Sequence, residues 1–124
     1  MKKICVINTG GDIALRDYIA GQTESFDVCL DFLFSSDEGE IIDKIHECYF
    51  KKFGGIIIDA GEPAEYSYAI RDAVSAVLPI PTVEIRNGKC ENESVIAPVC
   101  KGQIRGIGDY AYVLAIKYLG ELTK

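Results

Sequence analysis

The sequence is poor in histidine, methionine and tryptophan, with one, one and none of each, and its 13 basic residues are outnumbered by 19 acidic ones. A formal charge of -6 gives a phosphate backbone little to hold. The lysines and arginines stand singly or in pairs, so no nucleic acid partner is expected. No apolar run approaches the length of a bilayer span, and Met1 to Asn8 enters a strand pattern at once, without a charged-then-apolar leader; no membrane partner and a cytoplasmic location are expected. The cysteines Cys5, Cys29, Cys48, Cys90 and Cys100 are odd in number and lack a Cys-x-x-Cys pair, which argues against a disulfide framework and a zinc site. Cys5 and Cys29 fall inside apolar runs and are expected to be buried, inert thiols. The turn Asn8-Thr9-Gly10-Gly11-Asp12 has neither a Walker-type lysine nor a G-x-G-x-x-G pattern, and no cofactor is expected.

What remains is an ordinary globular composition, 48% hydrophobic and 26% charged, in 124 residues, enough for one core and read as one domain over residues 1–124. Lys3 to Asn8 reads as a buried strand. Asp12 to Ser25 carries a weak helical pattern broken by Gly21, and Phe26 to Phe34 reads as a second strand. Asp37 to Lys52 presents Ile41, Ile42, Ile45, Cys48 and Tyr49 on one helical face and is expected to end at Gly54-Gly55. Ile56-Ile57-Ile58 is too continuously β-branched for a half-exposed strand and predicts a central parallel one, ending at Asp59. Glu65 to Leu78 returns to the helical period through Ala69, Ile70, Ala73, Val74 and Val77, and Ile80 to Ile85 is the next strand. A polar loop, Arg86 to Ser94, leads to the apolar Val95 to Val99 and the glycine-rich Lys101 to Gly108. A closing helix, Asp109 to Leu122, is expected to bury Tyr112, Leu114, Ala115, Tyr118 and Leu119.

Strands alternating with helices imply right-handed crossovers and an α/β fold: a doubly wound five-stranded parallel sheet in three α/β/α layers. Ligands of such sheets bind beyond the carboxyl ends of the strands. The candidate strip is therefore Asn8 to Asp12, Ser35 to Asp37, Asp59 to Glu65 and Arg86 to Asn92.

Glu38 to Glu47, EGEIIDKIHE, closely resembles the segment EGELIDxIHEA of type II 3-dehydroquinate dehydratases. GGIIIDAG, Ser67 to Ala73, Ile80 to Glu84 and Ser94 to Gly102 follow at matching spacing. The resemblance covers residues 2–9 and 35–122. It implies a flavodoxin-like sheet, a small-molecule substrate among the shikimate-pathway acids, and a homo-oligomer, a trimer or a dodecamer built of trimers. It also implies a chemistry in which a lid tyrosine, made basic by an arginine, takes a proton beside a ketone. A water held by a turn asparagine steadies the enolate, and a histidine poised by a glutamate protonates the leaving hydroxyl.

Several positions depart from that pattern. Asn8 falls on the first asparagine of the family's N-G-P-N turn, but the water-holding second falls on Gly11. The stretch from Asn8 to Ser35 is too short for both the lid and a full helix, leaving Arg16 and Tyr18 as candidate remnants of the lid pair. The family's N-P-G-A-x-T-H-T-S loop reads Asp59 to Ser67, so an asparagine and a histidine that hold substrate have become Asp59 and Glu65. A carboxylate about 4 Å from an anionic substrate costs roughly 4 kcal/mol at an effective dielectric near 20. The acid histidine falls on Arg86, and a guanidinium does not give up a proton near neutral pH. The segment that carries a carboxylate-binding arginine is shortened to Lys89-Cys90-Glu91-Asn92-Glu93. Glu84 keeps the glutamate position beside the acid and is expected to partner Arg86; Asp72 keeps an aspartate at a helix start. His46 lies in the outer helix, away from the strand ends.

The candidate catalytic residues are thus Tyr18, Arg16 and Glu84, and the candidate ligand-binding residues Asn8, Asp59, Glu65, Asp72, Arg86 and Asn87. The substitutions favour a protein of this fold with dehydration lost or altered, which binds a different small molecule or merely assembles. A working dehydratase is the alternative, with Tyr18 as base, Arg16 beside it and a water at Glu84 or Arg86 delivering the proton. A third reading takes Asp59, Glu62 and Glu65, with Asp12 and Asp37, as a hard-cation site.

Overall fold

A computed structural model describes residues 1–88 and 92–122 of the chain. Cys90 and most of the shortened segment lie outside the described residues. The elements run β1 (Lys2–Asn8), α1 (Ile13–Gln22), β2 (Val28–Phe34), α2 (Glu38–Phe50), β3 (Gly55–Asp59), a 3-10 turn (Glu62–Glu65), α3 (Tyr68–Ala76), β4 (Thr82–Arg86), a second 3-10 turn (Ala97–Val99), β5 (Gly102–Arg105) and α4 (Tyr110–Glu121). All five strands are parallel, in the order β2-β1-β3-β4-β5. The chain therefore winds outward in both directions from β1 and β3, as a flavodoxin-like three-layer fold does.

Strand alternation sorts the core into two faces. Cys5 and Ile7 of β1 and Ile56 and Ile58 of β3 join Ile41, Ile45 and Cys48 of α2 and Ile70 and Val74 of α3. Ile4, Val6, Ile57, Val83 and Ile85 join Ile19 of α1 and Ala111, Tyr112, Ala115, Ile116 and Leu119 of α4. The three isoleucines of β3 are fully buried between the two layers, as their continuous run predicts.

The differences from expectation have local causes. Gly21 does not break α1, which Asp12 starts by accepting hydrogen bonds from the Ala14 and Leu15 backbone N–H groups. Gly54-Gly55 is not the stop of α2; Lys52 takes the left-handed conformation there, φ 58°. The two glycines are needed for clearance instead, because a Cβ at Gly54 would run into the Lys2 stem and one at Gly55 would lie 3.0 Å from Leu119 Cδ1. Pro63 makes Glu62–Glu65 a separate 3-10 turn, and α3 starts at Tyr68 with Ser67 as its cap. The fifth strand is the glycine-rich Gly102–Arg105, a short edge strand without an apolar run, while Val95 to Val99 mostly forms a turn. On α4, Leu114 and Tyr118 are exposed and Ala111, Val113 and Ile116 take their places in the core. Tyr49 and Ala69 are likewise exposed. Cys29, expected to be buried, is exposed because β2 is an edge strand, whereas Cys5 on central β1 is buried. No described helix is long and apolar enough to cross a membrane.

Candidate functional site

The carboxyl ends of β1, β3 and β4 present Asn8, Asp59 and Arg86, the strip that the topology singles out. Asn8 and Asp59 are paired in register across β1 and β3. On the α4 side their side chains meet the buried hydroxyl of Tyr112: Asn8 Nδ2 donates to it, and it donates in turn to Asp59 Oδ2 at 3.3 Å. The remaining oxygens are filled locally, Asn8 Oδ1 by the Gly10 N–H at 2.7 Å and Asp59 Oδ1 by the Gly61 N–H at 3.1 Å. Gly61 makes that turn possible with φ 64°, and a side chain there would collide with Thr9 Oγ1 at 2.7 Å. Burial raises the Asp59 carboxyl from its ordinary value, against the lowering by the Gly61 N–H, the Tyr112 hydroxyl and the Arg86 cation. Burial, followed by the charge of Asp59, pushes the Tyr112 hydroxyl up, so it stays protonated and donates.

On the other side, Arg86 is buried at the end of β4 with its side chain 3% exposed. Its Nη2 reaches Glu65 Oε2 at 3.4 Å and the Asn92 carbonyl at 3.2 Å, and Asn92 Nδ2 donates to Glu65 Oε1 at 2.9 Å. Among the described residues, Arg86 Nε and Nη1 are buried without an acceptor. The neighbouring Asn87 donates through Nδ2 to the Gly108 carbonyl at 2.9 Å, while its buried Oδ1 has no donor among the described residues.

Glu84 is not the partner of Arg86. Fully buried two residues earlier on β4, it accepts from Ser94 Oγ at 2.6 Å and from Gln103 Nε2 at 2.8 Å. It thereby ties the segment after β4, and β5, to the central sheet. Of Asp59, Glu65 and Arg86, only Glu65 touches the guanidinium; Asp59 acts on it through its field while its carboxylate faces Tyr112.

Arg16 and Tyr18 are exposed on α1; Arg16 lies 3.8 Å from Asp17, and neither residue hydrogen-bonds or ion-pairs with the strand-end groups. Asp72 is exposed on α3, and His46 is exposed on α2. The cation reading loses its ligands. Asp12 and Asp37 cap α1 and α2, Glu65 is engaged by Arg86 and Asn92, and no group of three potential metal ligands occurs among the described residues. Gly11 cannot take a side chain without displacing its neighbours, since a Cβ would sit 2.8 Å from the Phe34 ring and 2.9 Å from Leu15 Cδ2. Sequence reasoning missed Tyr112 as a polar participant: its helical position signals burial, and nothing in the local pattern tells that the hydroxyl crosses to two strand ends.

The family model for class II dehydroquinases matches residues 8–120. The chain belongs to the class II dehydroquinase family. It is 38% identical to a 3-dehydroquinate dehydratase of Caldicellulosiruptor bescii over 144 aligned positions, 98% of this chain and 99% of the relative. It is 45% identical to one of Bacillus subtilis (strain 168) over 101 positions, covering 77% and 68%. The crystal structure of a type II dehydroquinase from Butyrivibrio crossotus DSM 2876 superposes with a TM-score of 0.89 at 35% identity, covering 97% of this chain and 98% of that one. Within this member of the family the scaffold places Asn8, Asp59 and Arg86 at the strand ends, with Asn87 just beyond.

Proposed function

We propose that the protein is a 3-dehydroquinate dehydratase working with a rearranged set of strand-end groups. What supports this most is the breadth of the likeness: relatives of that name match nearly the whole chain, and the fold follows theirs across 97% of its length. In this reading a small cyclic hydroxy acid sits over the ends of β1, β3 and β4, held by Asn8, Glu65, Arg86 and Asn87, with Asp72 at the periphery. Tyr18 takes the proton beside the ketone, with Arg16 as its cationic companion. A water held by Arg86 gives its proton to the leaving hydroxyl as the C–O bond breaks, so that water departs and the enone remains, and the hydroxide left behind regains a proton from Tyr18 through solvent. Glu84 positions the segment after β4 through Ser94 and Gln103. The protein assembles as a homo-oligomer, a trimer or dodecamer, testable by light scattering against the 13.6 kDa of one chain. Incubation with 3-dehydroquinate should raise the enone absorbance, and Tyr18→Phe should abolish that rise with the circular dichroism unchanged; a wild-type protein without turnover rejects the reading.

A second reading, binding without dehydration, is supported by two observations. An arginine stands at the acid position, and Gly11 has no room for the water-holding side chain. Its signature is thermal stabilisation by the same acid with no enone formed.

A further inference from the structure

Cys5 is buried as its apolar run predicts, but a second buried thiol, Cys48, stands over it, and the strand-end site uses neither. Cys5 lies at the middle of β1 on the face that α2 covers, and it pairs in register with Asp31 of β2, whose side chain therefore points the same way. Lys44 of α2 reaches down to that carboxylate, Nζ to Oδ2 at 2.7 Å, and is held on its other side by Glu47 at 2.9 Å. One helical turn further along the same face, Cys48 enters the core cluster that contains Cys5. The bond from Lys44 to Asp31 thus seats the helix on the strand so that the two thiols meet, close enough to share a hydrogen bond. That bond orders them. Donation by Cys5 and, after it, the charge of Lys44 hold the Cys48 thiol below its ordinary value against burial, whereas the same bond and burial push Cys5 up. Cys48 is the thiol that ionises first, and Cys5 waits beside it. Because β2 is an edge strand and the Asp31 side chain is 44% exposed, a single layer of side chains separates the pair from solvent.

We propose that Cys5 and Cys48 are an oxidisable dithiol, which hydrogen peroxide closes into a disulfide that latches α2 to β1. The Cys48 thiolate attacks one peroxide oxygen, the O–O bond breaks, and the sulfur becomes a sulfenic acid as hydroxide leaves. Cys5 then attacks that sulfur, the S–O bond breaks, and a second hydroxide leaves. The two thiol protons convert both hydroxides to water, and the two electrons given up by the sulfurs reduce the peroxide. A small dithiol reductant reverses the closure by exchange.

The test is peptide mapping of the native protein after brief exposure to hydrogen peroxide, stopped with catalase and followed by denaturation in N-ethylmaleimide. Trypsin should release Ile4–Arg16 joined to Ile45–Lys51, a species that reduction splits into its two peptides. The oxidised protein should unfold at a higher urea concentration than the reduced one, because the cross-link restricts the unfolded chain between residues 5 and 48, and dithiothreitol should abolish the difference. Cys29→Ser, which removes the exposed thiol of the edge strand, should leave the linked peptide in place, and Cys48→Ala should lose the linkage and the urea shift together. Recovery of Cys5 and Cys48 as maleimide adducts while Cys29 is oxidised overturns the proposal, as does a disulfide from Cys48 to Cys29. A linked protein that unfolds at the same or lower urea overturns the latch. Should Cys48→Ala not fold, the peptide map of the wild type still decides.

Discussion

The two polar clusters at the strand ends are built from similar groups and differ in whether they are closed. Around Tyr112 each side-chain atom has a partner within the chain: Asn8 is filled by Gly10 and the tyrosine, and Asp59 by Gly61 and the tyrosine. Around Arg86 the partners run out, with two guanidinium nitrogens and the Asn87 carbonyl left over. A closed network fixes geometry and holds a proton; an open one spends stability to keep donors free for something else. The difference teaches that burial alone does not mark a ligand site at a strand end. Unfilled hydrogen-bonding capacity among the described residues is what sets the Arg86 cluster apart.

That contrast can be broken by mutation. The largest effect should come from neither cluster but from the apolar frame beneath them: Ile57→Ala, in the fully buried run of β3, should cost about 2–5 kcal/mol by urea unfolding. Tyr112→Phe should follow at about 1–3 kcal/mol, because it strips the hydroxyl from between Asn8 and Asp59 and leaves both short of a partner. Replacing the open cluster as a pair, Arg86→Met with Glu65→Gln, should cost less than Tyr112→Phe or stabilise the fold, since a buried ion pair is often matched by apolar packing. A loss from that pair larger than from Tyr112→Phe would reverse the comparison.

The pH dependence sharpens it. The folded-state pKa of Asp59 lies above its unfolded value, so its favourable contribution is complete below the ordinary aspartate pKa of about 4 and is lost as the pH rises through the raised value. Urea midpoints measured across that window should fall more steeply for the wild type than for Asp59→Asn. Parallel curves would show that Asp59 is not held toward its neutral form. The smallest effect belongs to Asp72→Ala, exposed on α3, which should change stability by less than about 0.5 kcal/mol.

Much of the frame was legible in the sequence because it rests on patterns that packing enforces. Ile56-Ile57-Ile58 announces a strand covered on both sides, and the alternation of strand and helix leaves the sheet little topological choice. Where the pattern is set by edges, it fails. Cys29 sits in an apolar run yet lies on the outermost strand, and Gly102–Arg105 pairs with β4 with no apolar run to reveal it. The site was legible in part. Glu65 and Arg86 do meet, whereas Glu84 turned out to have spent both oxygens on Ser94 and Gln103, residues that no local rule brings to it. Tyr112 was foreseen as a core residue, but the reach of its hydroxyl depends on how α4 lies over the sheet.

The glycine before β3 bears on a distant end of the chain. Lys2 passes its stem through the space that a Gly54 side chain would occupy, and its ammonium donates to the carbonyls of Leu119 at 2.9 Å and Leu122 at 3.0 Å at the end of α4, where carbonyls lack the next turn's N–H groups. A single methyl group added at position 54 would push that lysine aside, and amide protons in the final turn of α4 would then trade with solvent deuterium sooner, although they stand more than sixty residues away along the chain.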